Sequence, residues 1–474
     1  LNEKTSPLRL KSFAMSPAIY PIFKVGIPLF ALVLVCLALV RGTGRDHQVP
    51  TLKASSIGMV PSISDDDESK PTSEDISEGP PQRGRWRYVD PKIPNEYNER
   101  MGRMSRADEL AEAFTKDAPA LAKALDESKT SFVVEWVGKY LPHVHKDLRW
   151  EAGPASTPAT YDFTVTSEQH RDLQPIAETV IRKLDKKKIK NWHFRAYRRP
   201  IPLDILEKTF VARGGGKVPS YKVDVKTDID NSIALIFSSK DFAGNNIRKD
   251  LGSASLLIEL ILGEDNLNHW VGSVATQKAK GTSKASTAAK DATTLLHAFE
   301  KQKNSVLAKL PAKFYWELKP PQQQALVRYA PKGNGAERKT LITWLPGFER
   351  AAGSNLFSSE RFSKKGEVFC FLKARGVGEL VLPEKREALE KTIDTELRAA
   401  KLGCLVGAGS GTMESIFIDL CLPSVEAAVP KLKELCSKLK LPKNTRLQFY
   451  DPENRYEWIG MYDETPPPSD SDRI

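Results

Sequence analysis

The chain is poor in residues that brace a fold covalently or announce a reaction. Its 474 residues hold only five cysteines, with no Cys-x-x-Cys pair and no zinc-like spacing. Cys370, Cys404, Cys421 and Cys436 lie inside apolar stretches, where a thiol acts as a small hydrophobe; Cys36 stands apart. There is no Gly-x-Ser-x-Gly elbow, no His-Glu-x-x-His pair and no calcium-loop pattern. Arg213-Gly214-Gly215-Gly216-Lys217 lacks the first glycine of a phosphate loop, and Val218 replaces the required Ser or Thr, so it reads as a flexible turn. No cofactor or metal is implied. Long apolar runs are also scarce: one uncharged stretch, Val25 to Val40, stands out.

That stretch, extended back to Ile19 past a snorkelling Lys24, is long enough to cross a ~30 Å hydrocarbon core. Residues 1–45 are therefore expected to form a signal-anchor, with the membrane as a partner through residues 19–40. Lys4, Arg9, Lys11 and Lys24 precede the run and Arg41 and Arg45 follow it. This small bias places the amino end in the cytoplasm and the body outside it, in a single-pass membrane protein. Residues 46–85 read as a disordered acidic tether, with seven acids against Lys53 and Lys70 between 51 and 80. The net charge of +11 is thus concentrated in the body, which favours polyanionic partners.

The body reads as α+β in two modules. In the first, 86–276, helical spacing runs through Leu110, Phe114, Leu121 and Leu125, then Val133, Trp136, Val137 and Tyr140, with Pro142 as a stop. Short strands follow around Leu148–Glu151, Tyr161–Val165, Trp192–Tyr197, Tyr221–Val225 and Ile233–Phe237. A helix over 247–262 ends at Gly263, and a last strand spans Trp270–Ala275. Residues 277–305 are read as a hinge. The second module, 306–464, opens with strands at Phe314–Trp316 and Leu341–Trp344. Its 366–462 core shows the order βαββαβ, which predicts a ferredoxin-like sandwich. Residues 465–474 form a disordered tail.

Several segments resemble a group of uncharacterised bacterial two-module α+β proteins. They are Asp147-Leu148-Arg149-Trp150-Glu151, Trp192-His193-Phe194-Arg195-Ala196, Ala254 to Gly263, Glu360-Arg361-Phe362-Ser363, Gly407–Gly411 with Ile418-Asp419-Leu420, and Trp458-Ile459-Gly460. The resemblance covers most of 105–465 and implies the two-module architecture. That group has no established activity, so it implies no mechanism.

Gly407-Ala408-Gly409-Ser410-Gly411 joins two strands and lacks the helix start that a phosphate loop needs; a hairpin requiring positive φ explains it better. His143-Val144-His145 offers two imidazoles with no third ligand and reads as a surface turn. Asp419, alternating with Ile418 and Leu420, is expected to pair with Lys or Arg across the sheet. The clearest chemical asymmetry is Arg182, Lys183, Lys186, Lys187, Lys188, Lys190, Arg195, Arg198 and Arg199 against Asp185, interleaved with Trp192, His193, Phe194 and Tyr197. Bases with aromatics grip single-stranded nucleic acid by phosphate contact and stacking; a solvated helix end beside core aromatics is the plainer reading. Three functions follow. The first is a membrane-tethered, non-catalytic interaction or regulatory protein acting through a protein partner. The second is nucleic-acid or anionic-lipid binding through 182–199. The third is an enzyme with its site between the modules.

Overall fold

Two helices with an apolar stripe open the folded body. The computed structural model describes residues 85–469, apart from 156, 158, 169, 280–287, 320–324 and 328–337. Helix α1 (Pro94–Asp126) begins thirteen residues before the first buried position, with Pro94 in its opening turn, where a missing N–H needs no partner. From Ala107 onward, Leu110, Ala111, Phe114, Ala118, Leu121 and Leu125 recur at three- and four-residue spacing and are buried. Helix α2 (Thr130–Val144) runs two residues past Pro142 and buries Val133, Trp136 and Val137 against α1. Strands β1 (Arg149–Pro154) and β2 (Tyr161–Thr166) pair antiparallel, and α3 (Gln174–Lys186) leads to β3 (Trp192–Arg195), parallel to β2. The Phe114 ring sits edge-on to Trp136, Phe163 and Trp192 at 5.3, 5.0 and 4.8 Å. Such edge contacts add to burial worth about 1.5–3 kcal/mol per large side chain.

The same strand order then recurs. After α4 (Leu206–Ala212), β4 (Lys222–Thr227) pairs antiparallel with β5 (Ile233–Ser239). Helix α5 (Arg248–Trp270) leads to β6 (Val271–Lys278), parallel to β5. The expected first module therefore contains two ββαβ units, each with its own three-stranded sheet and apolar core. Helix α5 is broken at Gly263, whose φ of 80° interrupts it where the sequence placed its end. Helix α6 (Ala288–Lys309) occupies most of the segment read as a hinge and buries Ala292, Leu295, Phe299 and Val306 in the second core.

The carboxy-terminal part departs from expectation. Its strands are β7 (Ala325–Val327), β8 (Leu341–Thr343), β9 (Val368–Ala374), β10 (Cys404–Ser410), β11 (Ile416–Leu422), β12 (Arg446–Phe449) and β13 (Trp458–Gly460). They form one seven-stranded antiparallel sheet in the order β13-β12-β9-β11-β10-β8-β7. This corrects the simple ferredoxin-like sandwich: strands are added at both edges, and both faces are covered. Helices α7 (Phe348–Ala352), α8 (Pro383–Ala399) and α9 (Val425–Lys438) complete this part. Leu389, Ile393, Leu432 and Leu435 of α8 and α9 pack on Cys370, Leu372, Ile418 and Leu420. On the opposite face, Phe348 of α7 joins Phe357, Phe362, Phe369 and Tyr450. The expected strand at Phe314–Trp316 is a 3-10 turn over Tyr315–Glu317.

The glycines of 407–411 serve this sheet differently from the expected hairpin. Gly407 and Gly409 lie within β10, and the positive φ values of the following turn fall on Met413 (53°) and Glu414 (48°). A Cβ on Gly409 would stand 1.9 Å from the Thr340 carbonyl oxygen, so the glycines admit the neighbouring strand. Asp419 pairs with Arg338 in a two-pronged contact (Nη1–Oδ1 2.9 Å, Nη2–Oδ2 2.5 Å) that the Tyr450 hydroxyl joins.

Among the described residues no helix is long and apolar enough to cross a membrane. This corrects the expectation of a single-pass membrane protein with an extracytoplasmic body. The run 19–40 on which it rested, and the tether up to residue 84, lie outside the described residues. The expected tail starts later than 465: Thr465 is buried and donates its hydroxyl to the Lys443 carbonyl at 2.9 Å. Cys370, Cys404, Cys421 and Cys436 are free and buried.

Candidate anion-binding cleft at the junction of the sheets

The three sheet units meet over a knot of ionised side chains. Glu453, on the 3-10 turn Pro452–Asn454, accepts from Arg171 Nε at 2.8 Å and lies 3.5 Å from His269 Nε2. It thereby joins the third unit to both of the others. Burial pushes the Glu453 carboxyl up, but Arg171 and His269 outweigh it and hold it down at about 2. Burial disfavours the His269 cation, yet its bonds to Asp265 and Glu453 raise it to about 10. Asp451 next door is pushed up to about 6 by burial and by Glu453, and receives the Ser359 N–H at 2.7 Å and the Ser359 hydroxyl. Arg361, 1% exposed, is lowered to about 10 by burial despite Asp230. Arg198 answers Glu151, Glu168 and Glu259 together, and Arg213 shares Glu151 and Glu259.

A strap crosses the same junction ahead of α1. The backbone N–H groups of Trp86, Arg87 and Tyr88 donate to the Glu457 carboxylate at 2.6, 2.8 and 2.9 Å. The Trp86 indole donates to Thr179 of α3, and Tyr88 stacks on Phe449 of β12 at 5.0 Å. Arg85 donates to Glu96 at 2.7 Å and to the Trp458 carbonyl at 3.0 Å, with its guanidinium 3.9 Å above the Trp458 ring.

Between strap, α1, the end of α2 and the 453–457 turn lies a cleft of ≈ 350 Å³. Its α1 wall is built from Arg100, Arg103 and Arg106, three residues apart on the charged opening turns of the helix. His143, His145 and Lys146 approach from the end of α2. Among the described residues no group of three or more side chains is placed to hold a metal, and His145 instead accepts the Asp147 N–H at 3.2 Å. Most carboxylates of the lining already have partners: Glu96 on Arg85, Glu99 on Arg103, Glu453 on Arg171, and Glu457 on the strap.

The nine basic residues singled out in the sequence do not converge on one surface site. Lys183 and Lys187 bridge to Asp108 and Glu112 of α1, and Arg195 and Arg199 face Asp162. Arg198 belongs to the junction knot. Arg182, Lys186, Lys188 and Lys190 are exposed at the end of α3. Trp192 is buried in the first core with Phe194 half-buried against it, while His193 is exposed. A second, more open recess of ≈ 500 Å³ is lined by Arg195, Arg198 and Arg199, whose charges are already met. The sequence reading missed Arg171, His269 and Glu453, because no local pattern links residues so far apart in the chain. It also passed over Arg100-x-x-Arg103-x-x-Arg106, although that spacing is itself a helical signal. No protein family, curated protein or solved structure matches the chain; the resemblance to an uncharacterised bacterial group rests on its motifs alone.

Proposed function

We propose that the protein is a non-catalytic interaction or regulatory module that works through a protein partner. The observation that carries this reading is the state of the ionisable groups in the junction. A general acid or base works best with a pKa near the ambient pH. Here His269 is driven to about 10 by Asp265 on its own helix and Glu453 on another unit, and Glu453 to about 2 by Arg171 and His269 on other units. Groups so placed hold charge permanently and fasten units together. Asp451, the exception at about 6, is bound to Ser359 and does not line the cleft. These states argue against the enzyme alternative, in which the junction would hold the reactive groups. The nucleic-acid alternative loses Trp192 to the core, and its exposed cations at the end of α3 stand apart from Arg195, Arg198 and Arg199, whose charges are already met.

The test is affinity recovery of the tagged full chain under cross-linking, with and without nuclease, read by mass spectrometry. One protein recovered in near-equal amount and indifferent to nuclease supports the reading. Recovery that collapses with nuclease, and with Lys186/Lys187/Lys188→Glu, would replace it with polyanion binding.

A further inference from the structure

We infer that the arginine-lined cleft beside the strap is a binding site for a phosphate-class dianion, either inorganic phosphate or a small phosphate monoester. The inference is independent of the partner reading above. Arg85 is 5% exposed, and its Nη2 is buried with no hydrogen-bond partner. The rest of that guanidinium is fixed by Glu96, the Trp458 carbonyl and the Trp458 ring, so the open donor is held in place before any ligand arrives. Arg100, on the facing wall, also has its Nε buried and unpartnered. Leaving a buried donor unmet costs about 1–3 kcal/mol, and two such donors on one cleft are a standing demand for an acceptor.

Pairing of the carboxylates leaves cations over. Six carboxylates line the cleft, and Glu96, Glu99, Glu453 and Glu457 are engaged, with Asp147 3.9 Å from His145, whereas Arg106 and Lys146 have no ion pair to another described residue. The cations without an ion pair come from α1 and the turn after α2, and the strap adds the unmet Nη2 of the Glu96-paired Arg85. A carboxylate is largely satisfied by a single guanidinium fork, whereas a tetrahedral dianion presents oxygens to donors from several directions. A cleft of ≈ 350 Å³ also suits a small ligand and not a polymer.

The experiment uses the full chain in calorimetric titration with inorganic phosphate and with glycerol phosphate, at ionic strength fixed by chloride. Saturable binding is expected, weakened about tenfold or more by Arg100→Gln and by Arg106→Gln, the first half-buried and the second exposed on α1. These variants should melt like the parent, which separates lost binding from lost folding. Arg85→Gln should abolish binding but also loosen the strap, so it is secondary. Sedimentation with phosphatidylcholine vesicles, with and without phosphatidic acid, decides the source of the phosphate. Arginine-dependent retention on the acidic vesicles with no binding of soluble phosphate identifies a headgroup; binding of soluble ligand alone identifies a metabolite. Phosphate no better than chloride, with no arginine-dependent vesicle retention, would overturn the inference. So would an affinity equal to the parent's in both glutamine variants.

Discussion

At the scale of single residues, Glu453 is the group on which most depends. Its carboxylate answers cations on two other units, so Glu453→Gln leaves Arg171 and the His269 cation buried with a neutral neighbour. Removing one partner of such a buried cluster costs about 3–5 kcal/mol, and urea denaturation should show a loss of that size. A change below 1 kcal/mol would mean the cluster is solvated and adds little. The pH dependence follows from the same groups. His269 is raised from 6.5 to about 10, so its stabilising contribution is complete below about 6.5 and is lost as pH rises through about 10. Glu453 is lowered from 4.5 to about 2, so its contribution is complete above about 4.5 and is lost as pH falls through about 2. Asp451 is raised from 3.8 to about 6, so its ionisation opposes folding increasingly as pH rises through that range. The junction should therefore be tightest between about pH 4.5 and 6.5. Stability should fall further between pH 6 and pH 10 in the parent than in His269→Gln, by about 4 kcal/mol. Parallel pH profiles for the two proteins would remove His269 from the account.

At the scale of elements, close approach of backbones explains what propensity does not. Gly409 sits in a strand, where glycine is a poor choice on entropy alone. Gly409→Ala places a methyl group 1.9 Å from the Thr340 carbonyl oxygen, which must drive β8 from β10. A loss of about 2–4 kcal/mol is expected, visible as early exchange of the β8 and β10 amides. Gly153→Ala in β1 meets nothing within 4 Å and should be neutral or stabilising by up to about 1 kcal/mol. Equal effects at both sites would show that space is not the reason for the glycines. Legibility follows the same division. The helices with apolar stripes and the strand Ile233–Ser239, whose buried residues alternate strictly, were readable because periodicity is a local signal. β7 and β13 span three residues each, too short for any period, and β8, though expected as a strand, gave no sign of which sheet it would join, so the sequence suggested a smaller sheet than the seven-stranded one that forms. Helix α6 was read as the helix-forming end of a hinge because its Lys, Ala and Thr content masked the apolar positions Ala292, Leu295 and Phe299 that seat it in the second core. In the basic segment, the run of charge was legible; the acids that answer it on α1 and β2 were not, because they lie 33 to 75 residues away in the chain.

At the scale of the whole molecule, three sheets with separate cores behave as one body only to the extent that their seams hold, and the strap at 85–88 is the smallest piece of chain that spans a seam. It ties the first unit through Trp86 and Thr179 to the third through Glu457, and Tyr88 stacks on that third unit. Trp86→Ala removes a buried indole, a change worth about 3–5 kcal/mol. It also removes the indole N–H that fixes the strap's angle to α3 through Thr179. Because each unit keeps its own core, the expected result is uncoupling without collapse. A single calorimetric transition should split into two, with faster amide exchange confined to the opening turns of α1 and the 452–457 turn. Glu457→Ala should do the same from the other side by leaving three consecutive N–H groups without their acceptor. The strap also carries Arg85, so both variants should weaken phosphate binding in proportion to the uncoupling, whereas Arg100→Gln should weaken binding and leave the transition single. One sharp transition in Trp86→Ala, with exchange unchanged at the seam, would show that the Glu453 knot alone holds the units together and that the strap only decorates it.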